Sequence, residues 1–221
     1  MWESGTVIGM VEYRERLLDR LLAEMLTELP ALLVVGPRAT GKTTTAARHA
    51  STIVRLDREA EAAAFRADPD AALRDLPEPV LLDEWQTTPT VLGAVKRAVD
   101  ADSRPGRFLL TGSVRADLDT ETWPGTGRVV RVSMFPLTIS EQLGSQTQPL
   151  INRIVDGETL APAADTPDLR GYVDLALKGG FPEPALQLTD TTRQRWLDSY
   201  IDQLVTRDAM TIDDGRDPIR L

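Results

Sequence analysis

Between Ala31 and Ala47 the chain reads ALLVVGPRATGKTTTAA: an apolar run, a turn bounded by glycines, then a polar segment able to start a helix. Few folds accept that order of residues. Gly36, Gly41, Lys42 and Thr43 meet the spacing G-x-x-x-x-G-K-[ST] directly after the run Ala31 to Val35, which is the context a phosphate-binding P-loop needs. Glycines let backbone N–H groups turn inward around phosphate oxygens, and the positive end of the following helix adds to the attraction. Gly36, Pro37, Arg38, Ala39, Thr40, Gly41, Lys42, Thr43 and Thr44 are therefore expected to line a nucleotide. Lys42 would reach its outer phosphates, and Thr43 would offer a hydroxyl to Mg²⁺. The plainer alternative is an ordinary glycine turn between a strand and a helix. Lysine usage speaks against it. Positive charge is otherwise carried almost wholly by arginine, with lysine only at Lys42, Lys96 and Lys178, and a compact ammonium suits such a loop better than a guanidinium fork.

A chain of 221 residues has room for one large core, with or without a small appended domain. The absence of cysteine excludes disulfides and thiol chemistry, and the single histidine, His49, gives little basis for a zinc site or a Ser-His-Asp triad. His49 itself reads as polar helix surface. A net charge of −9 argues against this segment wrapping a nucleic-acid backbone unaided, because such affinity comes mainly from neutralised phosphates. The start, MWESGTVIGMVEYRER, lacks the basic opening and long apolar core of a signal peptide, and no apolar run approaches membrane-spanning length. A cytoplasmic location without a membrane segment is the expectation.

Periodicity places the other elements. The pairs Leu17/Leu18, Leu21/Leu22 and Met25/Leu26 mark one face of a helix over Val11 to Leu29, stopped by Pro30. Tyr13 and Arg14, near its start, either border the adenine or sit on a packing helix. Thr43 to His49 continues the loop helix, Thr52 to Leu56 is a second strand, and Arg58 to Leu73 gives one or two helices broken near Pro69. The run VLLDEWQ, Val80 to Gln86, ends a third strand in adjacent carboxylates: Asp83 to hold Mg²⁺ through water, Glu84 to polarise an attacking water. Trp85 fits the core and the surface equally well. No N-K-x-D guanine signature is present, so ATP is favoured.

Thr88-Pro89 opens a helix whose buried face is Val91, Leu92, Val95 and Val99. Phe108 to Thr111 follows as a strand ending in Thr111-Gly-Ser113. A hydroxyl at that strand tip, Thr111 or Ser113, stands where P-loop ATPases contact the γ-phosphate or the attacking water; a plain Thr-Gly-Ser turn is the alternative. Val114 to Gly127 is a polar loop and Val129 to Val132 a fifth strand. Of the flanking Arg115, Arg128 and Arg131, Arg128 is the chosen candidate for an arginine finger reaching a neighbouring subunit. Gln142 to Asp165 has the composition of a linker. Thr166-Pro-Asp168 opens a helix that Gly179-Gly180 stops, and a last helix from Thr191 to Arg207 carries Trp196/Leu197, Tyr200/Ile201 and Leu204/Val205 as its apolar stripe.

The set GPRATGKTT, VLLDEWQ, FLLTGS, GRVVRVSMFPLTISEQLG, GGFPEPAL and RQRWLDSYIDQLVTRD resembles a family of bacterial and archaeal AAA+ ATPases known simply as ATP-binding proteins, over nearly the whole chain from about Tyr13. In that family a P-loop domain leads into a C-terminal domain of unknown function, thought to combine a winged helix with a nuclease-like fold. The resemblance implies Walker A roles for Gly36, Gly41, Lys42 and Thr43, Walker B roles for Asp83 and Glu84, and the sensor role for Thr111 or Ser113. Family members usually continue well past the LVTRD segment, so it also implies that the part conferring DNA binding or another output lies beyond Leu221.

The combined expectation is an α/β, three-layer P-loop NTPase domain over residues 1–141 with a five-stranded parallel sheet in the order 5-1-4-3-2, a linker over 142–165, and a small helical region over 166–221, forming a lid or the start of a further domain. It would bind ATP or ADP with Mg²⁺ and hydrolyse ATP through Glu84 and Lys42, with Arg128 acting in trans in a homo-oligomer. The rival is a nucleotide-binding module of little turnover that serves as an interaction partner. A small-molecule kinase is disfavoured because no arginine-rich lid segment follows the fourth strand.

Overall fold

The computed structural model describes residues 13–113, 127–144, 150–159 and 166–209. The chain runs through α1 (Leu17–Leu26), β1 (Ala31–Gly36), α2 (Lys42–Ala47), β2 (Thr52–Arg55), α3 (Glu59–Ala67), α4 (Pro69–Leu73), β3 (Val80–Asp83), α5 (Thr90–Ala101), β4 (Phe108–Ser113) and β5 (Val130–Ser133). Then come α6 (Ile139–Gln142), α7 (Leu150–Val155), α8 (Leu169–Lys178), α9 (Pro182–Leu186) and α10 (Asp190–Gln203).

A strand that is apolar at every position must be covered on both faces, and β1 is buried along its whole length. Its side chains alternate between two cores. Ala31, Leu33 and Val35 enter one with Leu82, Phe108 and Leu110, closed by Phe65 of α3 and Val91 and Val95 of α5. Leu32 and Val34 enter the other with Leu81 and Leu109, closed by Leu22 of α1 and Ala46 of α2. Trp85 belongs to the first core and is 3 % exposed, which decides between its two readings. The five strands pair in parallel in the order β2-β3-β4-β1-β5, the expected order read from the other edge. This register sets Asp83 opposite Thr111 and Gly36 opposite Ser113, so the chemistry-bearing strand ends lie side by side.

Several boundaries differ from the periodicity. Helix α1 starts at Leu17, because Arg16 is extended (φ −104°, ψ 146°) and its backbone N–H donates to the Asp19 carboxylate at 2.7 Å, capping the first turn. Helix α5 starts at Thr90, with Pro89 in the capping place instead of Thr88. Asp68 caps α4 and produces the break before Pro69. The stretch 142–165 is not all coil: Gln142 closes α6, and α7 stands inside it with Ile151 and Val155 exposed. The last helix is α-helical only to Gln203 and widens into a π turn over Leu204–Ala209. Arg115 lies outside the described residues.

The C-terminal helices meet the sheet domain through backbone as much as side chains. Leu137 N–H donates to the Gly180 carbonyl at 2.6 Å, and Gln142 Nε2 donates to the Gly179 carbonyl at 3.0 Å. A Cβ on Gly180 would stand 2.6 Å from the Leu137 carbonyl oxygen, so this junction requires glycine. Phe181, Trp196 and Tyr200 pack their rings together at centroid distances of 4.6 to 5.4 Å. The buried Arg193 ties α10 to α9 by donating to the Pro184 carbonyl at 2.8 Å. No helix among the described residues is long and apolar enough to cross a membrane.

Candidate nucleotide site

The loop after β1 is held open by its own backbone. Gly41 takes φ 93° at the start of α2, Ala39 takes φ 60°, and the fully buried Thr40 donates its hydroxyl to the Pro37 carbonyl at 2.9 Å. Gly36 is needed for a different reason: a Cβ there would lie 2.2 Å from the Met134 carbonyl oxygen, where the chain leaving β5 crosses the loop. Lys42 is 6 % exposed, with its ammonium donating to the Pro37 carbonyl at 2.8 Å. Burial pulls its pKa below the ordinary lysine value, with Glu84 and Asp83 pulling the other way.

The hydroxyls of Thr43 and Thr111 both donate to Asp83 Oδ1, Thr43 at 2.7 Å. Three elements thus converge on one carboxylate oxygen: the start of α2, the end of β3 and β4. Glu84 follows in a left-handed conformation (φ 52°) and accepts from Gln86 Nε2. A cleft of about 660 Å³ is lined by Arg38, Ala39, Gly41, Lys42, Thr43, Thr44 and, across from them, Asp57, Glu84, Gln86 and Thr87. Gly41 and Thr44 also line a narrower slot of about 160 Å³ with Tyr13 and Arg14 on one side and Leu137, Pro182, Leu186 and Gln187 on the other. A narrow, mainly apolar slot thus opens beside the wider cleft.

One wall of that slot is rigid. Tyr13 OH donates to Asp19 at 2.8 Å and meets the Thr45 hydroxyl at 2.9 Å, and the Arg48 guanidinium lies 4.3 Å from the ring centroid. Burial, foremost, pushes the Tyr13 pKa up, so the ring stays neutral. Behind the loop, the buried Arg16 donates to the Thr40 carbonyl (2.8 Å), the Phe135 carbonyl (2.7 Å) and Glu141 Oε1 (3.0 Å). Burial alone would raise the Glu141 pKa, but the N–H groups of Thr138 and Leu17 and the Arg16 charge outweigh it and leave it below the ordinary value.

Sequence reasoning missed Arg16, Gln86 and the α9 residues of the slot. Arg16 and Glu141 are 125 positions apart, and the only local hint is that Thr138 and Glu141 form a capping box on α6. Of the residues it did single out, Gly36 to Thr44, Asp83, Glu84 and Thr111 come together. Ser113 is half-buried at the end of β4. Arg128 does not join them in this chain: it precedes β5, at the opposite end of the sheet, and is ion-paired with Asp100 at 2.7 Å. Arg131 is exposed on β5. His49 faces Asp19 at 3.3 Å, behind the Tyr13 wall.

Comparison with known proteins fits this geometry. The chain is 29 % identical over 191 residues to uncharacterized proteins of Mycobacterium tuberculosis and Mycobacterium bovis, an alignment covering 85 % of this chain and 38 % of theirs. It therefore spans well under half the length of the curated relatives it matches. A Walker-type ATPase of Pyrococcus abyssi superposes with a TM-score of 0.50 at 14 % identity, covering 92 % of this chain and 75 % of that one, a likeness of fold. Residues 169–221 match a domain of unknown function. Residues 28–143, more than half of the chain, match the model of an AAA domain, and with a parallel sheet of this order and a phosphate loop at its centre the chain belongs to that family of P-loop ATPases.

Proposed function

We propose that this chain binds ATP with Mg²⁺ and hydrolyses it, the base entering the slot and the phosphates the cleft. The convergence of the Thr43 and Thr111 hydroxyls on Asp83, with Glu84 next in sequence, is the observation that carries the reading. A loop that merely held phosphate would need neither carboxylate. The donor set beside the loop is oxygen only, which suits Mg²⁺ held jointly by Thr43, Asp83, water and phosphate. Among the described residues no three His, Cys, Asp or Glu side chains stand together to hold a metal alone. Bound there, the ion would neutralise phosphate charge.

The protein's own groups would do the rest. Backbone N–H groups of residues 38 to 43 orient the phosphates, and Lys42, already stripped of most of its water, balances their negative charge. Glu84 accepts a proton from water as the water oxygen attacks the γ-phosphorus and the bond to the ADP oxygen breaks. Thr111 holds Asp83 in place from the buried side, leaving Ser113 at the strand end as the hydroxyl for the γ-phosphate. Phosphate release from ATP, compared between the wild type and Glu84→Gln at several protein concentrations, tests this. Turnover in the wild type with retained binding but no turnover in the variant is expected. Tight nucleotide binding without turnover in both would identify a nucleotide-holding module instead. Arg128 acting in trans requires specific activity to rise with protein concentration, and a flat dependence would remove it from the mechanism.

A further inference from the structure

Gln86 has a place in the cleft that the motif pattern does not explain. The backbone at Glu84 is left-handed (φ 52°, ψ 46°), a conformation that a residue with a side chain enters only when its surroundings impose it. The turn Trp85–Thr87 is then tied back on it: the N–H and the hydroxyl of Thr87 both donate to the Glu84 carbonyl, at 3.0 and 2.9 Å. This reversal brings the Gln86 side chain alongside its neighbour two residues earlier, and Nε2 donates to Glu84 Oε2. The other side of the carboxamide rests on β4. A Cβ added to Gly112 would lie 2.8 Å from Gln86 Oε1 and 2.8 Å from Trp85 Nε1. Gln86 Oε1 is buried there without a hydrogen-bond partner among the described residues, so the carboxamide gives up a polar contact to make the one with Glu84.

We infer that Gln86 is a positioning residue that aims the Glu84 carboxylate into the cleft, and that Gly112 is glycine so that Gln86 and the Trp85 indole beside it can both pack on β4. The inference rests on the hydrolytic reading above. A free glutamate at the mouth of a cleft samples several rotamers, whereas a donor fixed to Oε2 leaves Oε1 directed to one place. Small errors in such an aim are expensive, because the proton must leave the water as its oxygen attacks. Gln86 lines the cleft across from the loop, but the groups assigned above to holding the nucleotide are those of the loop and the slot, and Gly112 lies behind Gln86 on β4.

The test uses the whole chain and two variants, Gln86→Ala and Gly112→Ala, each measured for kcat, KM for ATP, equilibrium affinity for a fluorescent ATP analogue, and melting temperature. Gln86→Ala is expected to lower kcat about tenfold to a hundredfold, with KM, affinity and melting temperature close to wild type. Gly112→Ala is expected to lower kcat similarly by pushing the carboxamide off its seat. Because the new Cβ would also stand 2.8 Å from Trp85 Nε1, Gly112→Ala is expected to lower the melting temperature as well, and the kcat of Gln86→Ala is the deciding readout. Gln86→Ala removes atoms and adds none, so it decides the matter even where Gly112→Ala fails to fold. A Gln86→Ala enzyme with kcat within twofold of wild type, or with affinity and kcat falling together, overturns the inference and leaves hydrolysis standing. A wild type that binds nucleotide without turnover overturns the hydrolytic reading and this inference with it.

Discussion

Lys42 stands where a free ammonium would avoid standing, buried and pulled below its ordinary pKa. That cost is tolerable only if the charge is used. Lys42→Met should therefore weaken nucleotide binding about tenfold or more while the apo protein melts no lower than wild type, measured by analogue titration and thermal unfolding. Arg16 presents the opposite balance: its guanidinium satisfies the buried Thr40 carbonyl and Glu141, and the Phe135 carbonyl nearer the surface. Arg16→Ala should destabilise the chain by about 3 kcal/mol, because it strands a buried carboxylate, and should loosen the nucleotide site through Thr40. Denaturant unfolding and analogue affinity check the two effects. Glu141 also predicts a pH dependence. Its folded pKa lies below the ordinary 4.5, so its stabilisation is present above that pH and is lost as the pH falls through the folded value. Unfolding measured from neutral pH downward should accordingly be steeper below pH 4.5 in the wild type than in Glu141→Gln.

Elements differ in how openly the residues announce them. β1, β3 and β4 are continuous apolar runs flanked by turn residues, a pattern that fits strands covered on both faces, and they form where the runs are. Their boundaries drifted by a residue or two because hydrogen-bond pairing, which periodicity does not encode, decides where a strand stops. Helix α1 shows the limit more sharply. Its apolar pairs were visible, yet its start was not, since Arg16 is withdrawn from the helix by carbonyls of distant segments. Leu22 is the residue of α1 that closes the second core at 0 % exposure, and Leu22→Ala should cost about 3 kcal/mol in chemical denaturation. Leu17 and Leu21, half exposed on the same helix, should cost far less. In α8 the stripe Leu169, Tyr172, Val173 and Leu177 is as regular as that of α1, but all four are exposed. Periodicity reveals a face and is silent about what covers it.

Across the whole molecule, the candidate nucleotide site is assembled from segments that no local pattern connects. The cleft depends on the order of the strands, which brings the ends of β1, β3 and β4 together. The slot depends on the C-terminal helices docking through Gly180, which places Pro182 and Leu186 opposite Tyr13 and beside Gly41. Helix α10 reaches the loop as well, with Tyr200 OH donating to the Arg38 carbonyl at 3.4 Å. If the slot takes the base, Leu186→Arg should weaken ATP binding about tenfold, equivalent to about 1.4 kcal/mol. Because Leu186 is only half buried, folding stability should change by less than about 0.5 kcal/mol. Unchanged affinity in that variant would move the base elsewhere.

The phosphate loop, the acidic end of β3 and the sheet's apolar strands were legible because each depends on residue types at short spacing, and short spacing is preserved when a chain becomes a strand, a turn or a helix. The need for glycine at positions 36, 112 and 180, the brace from Arg16, the hold of Gln86 on Glu84 and the second wall of the slot were not. Those features are contacts between side chains or carbonyls brought together by folding, and a contact exists only where tertiary packing sets the distance.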